Sequence, residues 1–195
     1  MQTNSDTSTA PGEGVPVKPT NGPNIKWLTV PLAPEEIEFK IQSVSAKGTD
    51  KAKTLVVPYL NNRAVMERFD KAFGISGWQS HFEQIEGGFI CRITAEIDGK
   101  FVTKSDGANR TDIEPVKGGI SDAMKRCAVQ FGLGRSLYNY PKIYLTGDHK
   151  YIPGWGTTLL DRLVIGYNTS SLDRPVYIFN EAMAQKPAKQ YDPGR

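Results

Sequence analysis

The stretch GGISDAMKRCAVQFGLGRSLYNYP, residues 118–141, reads as a long amphipathic helix closed by glycines and followed by a tyrosine-rich segment. Just upstream, Thr111 and Glu114 stand in capping-box spacing, Asp112 puts a negative charge in the first turn, and Pro115 is tolerated there. The helix is therefore predicted to begin near 112. Ile113, Val116, Ile120, Met124, Cys127 and Phe131 step by three and four residues and make one stripe to cover a sheet. With about 3.6 residues per turn, Lys125 and Arg126 project away from that stripe. Gly118 and Gly119 inside the helix each cost about 1 kcal/mol against alanine, which points to the close approach of another backbone, by packing on the sheet, or of a ligand.

Before this helix the hydrophobic period changes to two. Phe89, Cys91, Ile93, Ala95 and Ile97 alternate with Ile90, Arg92, Thr94 and Glu96, and "EGG" and "DGK" interrupt the run where hairpin turns belong. Residues 77–106 are thus predicted to be a three-stranded antiparallel meander. Earlier still, "NNRAVMERFDKAFG" offers Asn61 or Asn62 as N-cap, Val65, Phe69 and Phe73 at spacings of four, and Gly74 as a stop, which makes a short helix. After Pro141, "LLDRLVIGYN" and "PVYIF" read as further strands. The fold class is α+β: a β-meander packed against a long helix, with a short helix before it and added C-terminal strands.

The 195 residues fit one domain with flexible ends. Residues 1–24, rich in Ser, Thr, Pro and Gly, bury too little to offset ordering and are expected to be a disordered tail, as are 184–195. The expected folded part is 25–183. With 24 Lys+Arg against 21 Asp+Glu the net charge is only +3, so any case for a polyanionic partner rests on where charges sit. Cys91 and Cys127 fall at small apolar positions and read as reduced core thiols, and His81 and His149 complete no zinc spacing. No apolar run approaches the roughly 20 residues of a membrane span, and the first residues resemble neither a secretory nor a transit signal. A cytoplasmic protein of bacterial or phage origin is expected.

Lys117 and Ser121 share an edge of the helix with Lys125, so this side presents a row of donors. Arg63 opens the first helix, Arg92 and Lys104 decorate the sheet, and Arg135 follows the glycines. Such spaced cations suit a phosphate backbone, because each neutralised phosphate releases counterions without base-specific readout. A plainly solvated face is the alternative. Trp78, Tyr138 and Tyr140 are aromatics able either to stack on bases or to pack in the protein, with Trp78 expected beneath the first helix. Asp106, Asp112 and Glu114 with Lys117 form a rival set that could hold Mg²⁺ for phosphodiester hydrolysis. Against it, Glu114-x-x-Lys117 is one residue longer than the Glu-x-Lys of such sites. "GLGRSL" departs from G-x-G-x-x-G at its last position and follows a helix, so no nucleotide-binding loop is read there.

Residues 59–145, through "NNRAVMERFDKAFGISGW" and "SDAMKRCAVQFGLGRSLYNYP", resemble the Rad-fifty-two-type single-strand annealing proteins, closest to the bacterial and phage branch that includes the DNA damage response protein A group. The resemblance implies protomers in a ring or arc, with single-stranded DNA in a basic groove and its bases open for pairing. It implies that Lys125 and Arg126 bind the DNA backbone, with Lys117 on another basic position of the helix and Arg63 matching an arginine of the first helix. Val129 stands where the eukaryotic branch has a further basic residue, and the recombinase-recruiting role of that branch is not expected. The expected function is ATP-independent single-strand binding and annealing in recombination and double-strand break repair, with no cofactor and no metal. Single-stranded DNA, further copies of the chain, and a single-strand binding protein or recombination factor are the expected partners. An end-protecting protein without annealing activity, or a Mg²⁺-dependent nuclease, are the alternatives.

Overall fold

The computed structural model describes residues 22–112 and 114–186, so Ile113 of the predicted stripe and most of the two predicted tails lie outside the described residues. In chain order its elements are β1 (Ile37–Ser45), β2 (Lys53–Leu60), α1 (Asn62–Phe73), β3 (Trp78–Ile85), β4 (Gly88–Ile97), β5 (Lys100–Asn109), α2 (Pro115–Gln130), β6 (Lys142–Thr146), α3 (Gly154–Asn168), β7 (Val176–Phe179) and α4 (Glu181–Ala184). Short 3-10 turns cover Ile25–Leu28, Pro34–Glu36 and Arg135–Asn139.

The meander forms as its alternation demands, with β3, β4 and β5 antiparallel in that order. Asp98 and Gly99 both take positive φ in the β4–β5 turn, the combination a tight two-residue hairpin requires. Phe89, Cys91, Ile93 and Ala95 of β4 are buried beneath the helices, and Ala123, Met124, Cys127 and Ala128 of α2 close over them. The tandem glycines of α2 owe their place to this packing. A Cβ at Gly119 would lie 2.6 Å from the Phe89 ring, and one at Gly118 would collide with the Thr111 side chain. Asn61 caps α1 as predicted, its Oδ1 accepting from the Arg63 N–H at 2.8 Å, and Gly74 ends it at φ 75°. Trp78 does pack beneath α1, with ring centroids 5.1 Å from Phe69 and its Nε1–H donating to Asp70 at 2.8 Å.

A second, four-stranded sheet runs in the order β1-β2-β6-β7, antiparallel except for the parallel pair β6–β7, which α3 connects. Val56, Ile143, Leu145 and Phe179 of this sheet bury against Leu159, Leu160 and Leu163 of α3. Phe39 and Tyr140 touch both cores and join them.

Three expectations are corrected. "LLDRLVIGYN" is not a strand but the last ten of the 15 residues of α3: Leu159, Leu160, Leu163 and Val164 lie on one helical face, and Asp161 and Arg162 between them break any period of two. Helix α2 begins at Pro115, not near 112. Proline is favoured at the first helical position and disfavours right-handed helical backbone in the residue before it, which sets the start of the helix at Pro115; Glu114, the N-cap, takes left-handed backbone at φ 50° and makes no side-chain cap, while the Thr111 hydroxyl donates to the Glu114 carbonyl at 3.4 Å. Val116, assigned to the apolar stripe, is consequently 54% exposed. The β1–β2 hairpin had no counterpart among the predicted elements.

Candidate nucleic-acid interface

The two sheets leave a groove of about 1020 Å³ between them, with the β1–β2 hairpin as one wall and the outer side of α2 as the other. The end of β5 and the 3-10 turn 135–139 complete it. Five cations line it, Lys40, Arg110, Lys117, Lys125 and Arg126, against three carboxylates, Glu38, Glu114 and Asp122. Two positive charges are left in excess.

On the α2 wall each cation has an acidic neighbour. Lys117 pairs with Glu114 at 3.0 Å, Lys125 with Asp122 at 2.7 Å, and Arg126 with Asp106 at 3.1 Å. Burial raises the pKa of Asp106, but hydrogen bonds from the Gly107 N–H, Gln130 and Arg126 outweigh it and hold the carboxyl below its ordinary value. Asp106 therefore stays ionised, and Arg126 keeps its partner near neutral pH.

Lys125 is not the freely solvated cation that helical geometry alone predicts. Its side chain is only 17% exposed, and its ammonium lies 4.9 Å from the centroid of the Tyr59 ring across the groove. Lys40, two positions along β1 from Glu38, lies 5.7 Å from the same ring. The Tyr59 hydroxyl donates to Glu38 at 2.6 Å, and burial together with that carboxylate pushes the phenol pKa up. Glu38 and Lys40 hold the Tyr59 ring within the hairpin, and the Lys125 ammonium over that ring links the hairpin wall to α2.

Of the seven cations singled out from sequence, Lys117, Lys125 and Arg126 come together in this groove. The other four lie elsewhere. Lys104 donates to the Gln130 carbonyl at 2.7 Å, and Arg135 to the carbonyls of Val129 and Gln130 at 3.0 and 3.3 Å. Both satisfy the open C-terminal end of α2, where positive charge also complements the helix dipole. Arg92 pairs with Glu83 on the meander at 2.7 Å, and Arg63 is exposed in the first turn of α1. Lys40 and Arg110 were missed, Lys40 because its hairpin went unread. Val129 lines the groove as a neutral residue.

The rival acidic set does not converge: Glu114 is held by Lys117, Asp106 by Arg126 and Gln130, and among the described residues no three His, Cys, Asp or Glu side chains are grouped as a metal ion would need. Among the described residues no helix is long and apolar enough to cross a membrane.

Against known proteins, a single-stranded DNA-binding protein DdrA of Deinococcus radiodurans is 32% identical over 125 residues, 63% of this chain and 58% of that protein. The protein of the same name in Deinococcus deserti is 34% identical over 119 residues, 60% of this chain and 57% of its own. The chain thus spans less than two thirds of the length of these relatives. Residues 25–155, which hold both groove walls, match the Rad52/22 family double-strand break repair protein. That match extends over more than half of the chain, which belongs to the Rad52/22 family of double-strand break repair proteins.

Proposed function

We propose that the chain binds single-stranded DNA in the groove between the β1–β2 hairpin and α2, and anneals complementary strands in recombination and double-strand break repair. One observation carries the reading: Lys117, Lys125 and Arg126 on one wall face Lys40 on the other, with Arg110 at the end of β5, along a single groove. Cations spaced in this way neutralise phosphates without reading sequence, as a protein acting on any break must. The names of the Deinococcus relatives speak of single-strand binding and agree with this.

Annealing asks for more than binding. The backbone must be held while pairing edges stay open, and the grip must weaken once a duplex forms. The acidic partners keep the grip moderate for any strand, since Glu114, Asp122 and Asp106 compete with phosphate for the same cations. Nothing in such a step needs hydrolysis, so neither ATP nor a metal enters the proposed mechanism. One groove offers few phosphate contacts, and a ring or arc of protomers would string grooves along one strand. The cytoplasm of a bacterium is the natural setting for such a protein.

The test is annealing of two labelled complementary strands in EDTA without ATP, followed by energy transfer against the spontaneous rate. Acceleration is expected, and its loss on combining Lys125→Ala with Arg126→Ala. Single strands bound without acceleration would refute annealing and leave a covering or end-protecting protein, a reading that the relatives' names would equally suit. Sedimentation with and without DNA tests the assembly, which monomers alone would refute.

A further inference from the structure

Three tyrosines stand in or beside the groove, and two are already engaged. Tyr59 has its hydroxyl on Glu38 and its ring against two lysines. Tyr140 is half-buried against Tyr167, with ring centroids 4.1 Å apart. Tyr138 differs: it lines the groove, is 71% exposed, and its side chain makes no hydrogen bond or ring contact with the described residues.

Its platform is nonetheless fixed. Tyr138 lies in the 3-10 turn 135–139, which begins after Gly134 at φ 73°. The Arg135 guanidinium ties that turn to the end of α2, the Leu137 N–H donates to the Gly134 carbonyl at 3.1 Å, and the Tyr167 hydroxyl donates to the Ser136 carbonyl at 3.1 Å. An aromatic ring left open to water on a braced turn, with only two side-chain torsions to order, suits a flat apolar ligand at low entropic cost. The cations of the same groove call for a ligand that also carries phosphate.

We infer that Tyr138 stacks on an unpaired nucleobase of the strand whose backbone lies along α2. The inference rests on the groove reading above and adds what the cations do not supply, a preference for single strands. Phosphate contacts hold duplex and single strand alike, whereas the faces of duplex bases are already covered by their neighbours. Any base offers a π-face, so the contact is blind to sequence.

The experiment compares an oligothymidylate with an abasic chain of equal length, using the full chain, Tyr138→Ala and Tyr138→Phe. Base stacking on an aromatic predicts that Tyr138→Ala weakens oligothymidylate binding about 5- to 150-fold. It also predicts no change for the abasic chain or for duplex, and near-native binding for Tyr138→Phe. An equal loss on both single-stranded ligands, or no loss on either, overturns the inference while leaving the groove reading intact. A native chain that binds neither ligand overturns the groove reading and this inference with it. As a second measurement independent of folding of the variant, photocrosslinking of the native chain to a halogenated pyrimidine strand should place the adduct on Tyr138, and adducts confined to other residues count against it.

Discussion

Replacing Asp122 with asparagine should tighten single-strand binding, although it removes an ion pair from the groove. Asp122 lies 2.7 Å from the Lys125 ammonium, so a phosphate oxygen on the far side of that ammonium sits roughly 6 Å from the carboxylate. Two unit charges at roughly 6 Å repel by about 0.7 kcal/mol in bulk water and about 2.8 kcal/mol at an effective dielectric near 20. Screening over a Debye length of about 8 Å roughly halves this. Asp122 is itself 41% exposed, which favours the lower part of the range, about 0.3–0.9 kcal/mol. The variant should therefore bind about two- to fivefold more tightly. Anisotropy of a labelled oligothymidylate at physiological salt measures the gain, with thermal unfolding as the check on folding. Glu83→Gln, which adds the same charge beside Arg92 on the meander, serves as the control and should change little. Unchanged or weaker binding by a folded Asp122→Asn variant, or an equal gain from Glu83→Gln, would show that phosphate does not pass Lys125.

Further expectations concern stability. Arg68 of α1 is 4% exposed and donates to Glu36 and to the carbonyls of Trp27 and Pro31, so Arg68→Ala leaves a carboxylate and two carbonyls short of a partner. A loss of about 3–5 kcal/mol in denaturant unfolding is expected. Burial raises the Glu36 pKa, but Arg68 and the Ala33 N–H outweigh it and lower it from the ordinary 4.5. The stabilisation is thus complete above that value and fades as pH falls through the lower folded pKa. Glu36→Gln should be less stable than the native chain at pH 7 and show a flatter decline on acidification, followed by thermal midpoint against pH. Gly119→Ala gains helix propensity but drives a methyl into Phe89, and a net loss of about 1–3 kcal/mol in urea unfolding is expected.

The meander and α1 were legible in the sequence because burial on one side imposes a period of two or of three to four, and Phe89, Cys91 and Ile93 or Val65 and Phe69 carry those periods unbroken. The β1–β2 hairpin was not, since Pro58 lies within β2 and its last residues bridge only to β1, where a missing N–H costs little. Missing the hairpin hid Lys40 and the part Tyr59 plays. Lys125 and Arg126 could be picked out by their place on α2, but Asp106, which holds Arg126, lies 20 residues away on β5, and no local spacing announces that pair. In the sequence Lys104 and Arg135 carry the same signal as Lys125. Only three-dimensional placement distinguishes a cation closing a helix end from one facing a groove.

Strand order also bears on when the groove can exist. The hairpin wall is pinned from its far side by β6, and the Thr54 hydroxyl reaches the Gly147 carbonyl 93 residues later. Closing so long a loop is the kind of step that slows folding, because the entropy is lost before the strand contacts form. On the ribosome, the meander and α2 can assemble from a nascent chain while the hairpin still lacks its neighbour. The wall of the groove formed by the hairpin is then braced by β6 only after residues 142–146 emerge.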